Sequence, residues 1–155
     1  MTIALSSPLT GLAQTGLTSP TYTFVSDQAP DVNAKQVAVT TLGGTQTGVT
    51  THSSSSPFIT ATWKPKAFQI LGKPNPVTGL LPNVPVNVYK VITIKGVTPL
   101  SGQPVARMIV TTSISVPAGS DIADPANVRA ALSMHFGALS QASAGIGDTS
   151  VTGLM

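Results

Sequence analysis

Seven cations occupy the middle of this chain without an acid among them. Lys35, Lys64, Lys66, Lys73, Lys90, Lys95 and Arg107 all fall within residues 32–120, which contain no aspartate or glutamate. Both flanks are acidic: Asp27 and Asp31 precede the block, and Asp121, Asp124 and Asp148 outnumber Arg129 after it. The net charge of +3 therefore understates the contrast along the chain. Lysine and arginine on one surface neutralise phosphates and release counterions, so the block is a candidate polyanion-binding face. Scattered cations that only solubilise the chain would give the same count. The facing of the strands that carry them has to decide.

Other chemistries lack their residues. Cysteine is absent, which removes disulfides, thiolate metal sites and cysteine nucleophiles. Glutamate is absent too, and the two histidines, His52 and His135, have no carboxylate at ligand spacing. His135 reads as a helix-packing residue. Gly43-Gly44 and Gly145-Ile146-Gly147 lack the lysine and the strand–helix setting of a phosphate loop. No nucleophile, base and orienting group stand together. The sequence points to no enzyme, no cofactor, no metal and no small-molecule substrate.

The 155 residues suit one domain. Only 8% are charged, against about 25% in an ordinary soluble domain. Serine and threonine hydroxyls supply most of the polar surface instead. A surface so poor in charge has little to keep it dispersed, which favours burial in an assembly. No apolar run reaches the roughly 18 residues of a membrane span. No base precedes Lys35, so a secretory n-region is missing and assembly in the cytoplasm is expected.

Elements that would position the cations follow from periodicity. Residues 1–20 read as an N-terminal arm. Tyr22–Ser26 and Lys35–Thr40 read as a hairpin, Gly43-Gly44 as a turn, 48–52 as a weak strand, and Ser53–Ser56 as a loop. Phe58–Lys66 alternates, with Ile59, Ala61 and Trp63 opposite Thr60, Thr62, Lys64 and Lys66. Residues 67–85 are a proline-rich connection. In Val86–Lys95 the odd positions Asn87, Tyr89, Val91, Thr93 and Lys95 share a face, while Lys90 interrupts an otherwise apolar one and leaves the register open. Gly96–Pro104 is a loop. Val105–Val116 sets Met108, Val110, Thr112, Ile114 and Val116 against Arg107, Ile109, Thr111, Ser113 and Ser115. Trp63, on the apolar side of its strand, reads as core.

A helix should follow residues 21–120 within the C-terminal segment 121–155. Asp124 suits its N-cap, Pro125 its first position, and Gly145 its stop. Val128, Ala131, Leu132, His135 and Leu139 recur at helical spacing. One helix, about 10–12 Å wide, cannot cover a sheet face. A second copy from a partner chain can, so these five residues are the expected dimer interface.

The order of elements resembles the coat proteins of small single-stranded RNA bacteriophages, the levivirus-like coats. The similarity runs over residues 21–145. It is carried by Lys35-Gln36-Val37-Ala38-Val39, Thr47-Gly48-Val49, Thr60-Ala61-Thr62, Tyr89-Lys90-Val91 with its Gly/Pro loop, the strand Arg107–Val116 ending at Pro117, and Asn127-Val128-Arg129-Ala130-Ala131-Leu132. The resemblance implies an α+β fold: an N-terminal hairpin, a five-stranded antiparallel sheet and a C-terminal helix, interlocked as a homodimer with a continuous ten-stranded sheet. It further implies an icosahedral virion shell that packages single-stranded genomic RNA, with an RNA operator hairpin bound for translational repression. The loop 96–104 would line the symmetry axes of the shell. Related coats place an aromatic on the last strand where this chain has Ile109.

Alternation and resemblance together make the expected RNA-facing set Thr60, Thr62, Lys64, Lys66, Tyr89, Lys95, Arg107, Thr111 and Ser113. The cations would meet phosphates, the hydroxyls base edges, and Tyr89 would stack on an unpaired base. A β-rich adhesin or filament subunit of the cell surface is the alternative, since low charge and abundant hydroxyls are ordinary there too. Bound nucleic acid discriminates the two.

Overall fold

The computed structural model describes residues 3–155. Six strands run β1 Leu9–Thr10, β2 Thr18–Asp27, β3 Ala34–Thr45, β4 Phe58–Trp63, β5 Val86–Val97 and β6 Ala106–Pro117. Three helices follow: α1 Ser120–Ala123, α2 Pro125–Gln141 and α3 Ser143–Thr152. The strands form one antiparallel sheet in chain order, β1-β2-β3-β4-β5-β6.

The strong strands lie where alternation puts them, and several expectations need correction. The hairpin β2–β3 does not pack beside a separate five-stranded sheet, because β3 pairs β2 on one side and β4 on the other. The arm is not free of strands: Leu9 pairs Tyr22 and Thr10 pairs Thr21, so it adds a short edge. Gly43-Gly44 is not a turn but a continuation of β3. There β2 and β3 slip in register, and Gly44 takes φ +72° with its Cα against the carbonyls of Thr18 and Ser19. A Cβ at Gly44 would overlap those oxygens. The chain reverses later, around Gly48, and residues 48–52 form no strand.

Asp124 caps α2 as its position suggests, accepting from the Asn127 N–H at 3.3 Å and from its side-chain amide at 2.7 Å. The expected stop at Gly145 is displaced. The helix breaks at Ala142, and α3 restarts with both glycines inside it. A tertiary contact explains the glycine at 147. Gln14 of the arm donates to the Ser143 carbonyl at 2.9 Å and to its hydroxyl at 2.8 Å. Its side chain fills the space a Cβ on Gly147 would need. Thr15 donates to Asp148 at 2.9 Å beside it.

The core is thin. Ala38, Val39, Ala61 and Ala118 are its buried apolar residues, and no large side chain is fully buried among the described residues. The chain exposes 10857 Å². A compact monomer of 15.7 kDa exposes roughly 7,300 Å².

Candidate nucleic-acid interface

Residues directly opposite in an antiparallel sheet share a face, so the register assigns every side chain. One face carries the cross-strand rows Lys35–Thr62–Val91–Thr112 and Val37–Thr60–Thr93–Val110, with Phe58–Lys95–Met108, Tyr89–Ile114 and Asn87–Val116 beside them. The other carries Ala34–Trp63–Lys90–Ser113, Gln36–Ala61–Ile92–Thr111 and Ala38–Ile59–Ile94–Ile109, with Arg107 opposite Gly96. The strand register thus resolves the ambiguity at Lys90.

The first face is the one the rest of the chain leans on. Phe68 meets Tyr89 edge to face at 6.4 Å, and Asn87 exchanges two hydrogen bonds with the Gln69 backbone at 2.9 and 3.0 Å. Lys95 donates to the Thr50 carbonyl at 2.7 Å and to its hydroxyl at 2.8 Å, and its ammonium lies 4.7 Å from the Phe58 ring centroid. Partial burial there holds the Lys95 ammonium below its ordinary range. Ile3, Ala4 and Leu5 border a cleft with Thr60, Thr62, Lys35 and Val37. A further cleft of about 420 Å³ separates the end of β6 from Val128, Ala131, Leu132 and His135 of α2. On β6 itself, Thr112, Ile114 and Val116 are half-buried while Thr111, Ser113 and Ser115 are exposed.

The expected RNA-facing set is therefore split. Thr60, Thr62, Tyr89 and Lys95 lie on the leaned-on face, and Arg107, Thr111 and Ser113 lie on the opposite one, which is open along β6 while Ala38 and Ala61 are buried toward its β3–β4 side. Thr60 bonds across to Thr93 at 3.1 Å, and Tyr89 is engaged by Phe68. Lys64 and Lys66 fall beyond the end of β4, where Pro65 interrupts pairing. Lys66 lies 2.6 Å from Asp31, and that hydrogen bond, ahead of the bond from the Val32 N–H, holds the Asp31 carboxyl below its usual range. The error came from aligning the polar faces of two strands that are not neighbours; β5 lies between them and sets them on opposite sides. The open face also contains cation and aromatic groups that the expected set omitted, Lys90 and Trp63. The break that Lys90 makes in an apolar alternation was the available signal.

The predicted interface residues of α2 share one helix and differ in exposure. Val128 and Leu132 are half-buried, whereas Ala131, His135 and Leu139 are exposed, with Met134 and Phe136 exposed beside them. At the far side of the sheet, β6 pairs only with β5 among the described residues, which leaves its outer edge unpaired by them over twelve residues. Among the described residues no group of three metal-ligating side chains forms.

No protein-family model and no curated protein matches the chain. Among solved structures, the virus-like particle of bacteriophage ESE020 is similar, with 52% identity over 99% of this chain and 100% of that one and a TM-score of 0.97. The chain belongs to the bacteriophage coat proteins. A capsid subunit accounts for an α+β chain that leaves exposed apolar residues on its long helix and a long sheet edge uncovered among the described residues. The surfaces to be explained in such a coat protein are first of all those that join copies.

Proposed function

We propose that this coat protein forms an intertwined homodimer, that dimers close into an icosahedral virion shell, and that the open sheet face lines the interior and holds single-stranded genomic RNA. The observation that carries the assembly is the surplus of exposed surface. About 3,500 Å² beyond a compact monomer lies in the range of obligate interfaces. An unpaired edge as long as β6, with Met108, Ile109 and Val110 exposed, is an aggregation hazard unless a partner pairs it. Joining two copies there makes the five long strands β2–β6 of each into a ten-stranded sheet. Each α2 then finds apolar cover on the partner through Val128, Ala131, Leu132, His135 and Leu139.

The RNA reading rests on the acid-free cation block and on the open face. Lys90 and Arg107 supply charge there, and Thr111, Ser113 and Ser115 supply hydroxyls. Binding of an operator hairpin for translational repression belongs to this same reading. The chain expressed alone in bacteria should yield uniform closed particles by electron microscopy, with an A260/A280 ratio typical of nucleoprotein and RNA released on dissociation. Particles empty of nucleic acid would refute the RNA half, and a monomer that never assembles in the presence of RNA would refute the whole.

A further inference from the structure

We propose that Trp63 is the stacking platform for an unpaired nucleobase on the open face, with Lys90 seating the adjoining phosphate; this rests on the RNA reading above. The row Ala34–Trp63–Lys90–Ser113 crosses four strands on that face. Direct cross-strand partners stand with Cβ atoms about 4.5–5.5 Å apart, so the indole and the ammonium are neighbours. The small Ala34 flanks the ring on its other side and leaves room above it.

The aromatic rings elsewhere are largely occupied: Tyr22 packs on Phe58, Phe68 on Tyr89, and His135 on Phe136. Trp63 enters no ring pair and no cation stack among the described residues, although it is only half-buried. Its surroundings suit a nucleotide. Ser113 completes the row with a hydroxyl, and Gln36 sits diagonally across on β3. The nearest carboxylate on this face, Asp27, lies on β2, one strand beyond the row, and accepts from Gln36 at 2.7 Å.

A base stacked on an aromatic side chain gains roughly ten- to a hundredfold in affinity. Trp63 is the single tryptophan of the chain, so its emission reports on this one position. The test uses the full chain as soluble subunits and two RNAs: a stem-loop whose loop is unpaired adenosines, and the same stem closed as a blunt duplex. The stem-loop should quench the emission and the duplex should not. Trp63→Ala should weaken stem-loop binding at least tenfold, while Trp63→Phe should stay within about threefold of wild type. Stem-loop binding with no quenching and with unchanged affinity in Trp63→Ala overturns the platform and leaves the RNA reading standing. Failure of the wild-type chain to bind either RNA overturns both. Should Trp63→Ala not fold, wild-type quenching and the Trp63→Phe affinity decide between the same outcomes.

Discussion

Substituting Gly147 by alanine should change sign with the identity of residue 14. Inside α3, glycine costs about 0.5–1 kcal/mol relative to alanine, so Gly147→Ala ought to stabilise an isolated helix. In the folded chain the new Cβ lands on the Gln14 amide and expels it. Two hydrogen bonds to the buried Ser143 are then lost, each worth about 0.5–1.5 kcal/mol. The net expectation is a loss of about 1 kcal/mol. In a Gln14→Ala background those bonds are already gone and the space is open. Gly147→Ala should there gain about 0.5–1 kcal/mol, a coupling of about 2 kcal/mol between the two positions. Denaturant unfolding of the four variants at one fixed protomer concentration measures it, since association shifts apparent stability. An equal effect of Gly147→Ala in both backgrounds would refute the argument that arm and helix meet at this residue.

The split of the cations between faces makes Lys90 and Lys95 separable. Lys90→Gln should lower the salt dependence of RNA binding by about 0.7–0.9 in log–log slope, whereas Lys95→Gln should leave the slope alone and lower stability instead; anisotropy titrations across salt check this. Asn87→Ala strands the Gln69 backbone N–H and carbonyl and should cost about 2 kcal/mol, with faster protease cutting within 67–85. Asp31 titrates below its ordinary value in the folded chain, so its contribution is present above the unfolded carboxylate range near pH 4 and is lost as pH falls through the folded pKa. Asp31→Asn should therefore flatten part of the acid limb of a stability–pH profile, and an unchanged limb would exclude the Lys66 pairing as a source of it.

What the sequence disclosed tracks the range of the interactions involved. Local signals, such as the alternation in Phe58–Trp63 and the Asp124-Pro125 cap, placed strands and helix to within a few residues. The restart of the helix past Ala142 escaped because the contact beside it, from Gln14 to Ser143, spans 129 residues; Gly145 then reads as a stop, and nothing local marks Gly147 as clearance for Gln14. The same limit governed the proposed interface. Thr60 and Arg107 both lie on polar stripes, but whether two stripes share a face depends on the register of the strand between them. Lys95 could not be read as a packing cation without its contact to Thr50. Composition, by contrast, spoke directly to assembly, because low charge is a property of the whole chain.

The sheet's strand order has a consequence for how the chain folds. Every pairing joins neighbours in sequence, so each strand can add to the last with only its own loop to close, the longest being the connection 64–85. The clasp of Gln14 and Thr15 on α3 is the opposite case, spanning nearly the whole chain. It closes only after α3 has been synthesised, when the sheet between its ends is in place. The outer edge of β6 stays unpaired after that clasp closes, so β6 is an open template from the moment it is made and is free to meet β6 of another nascent copy.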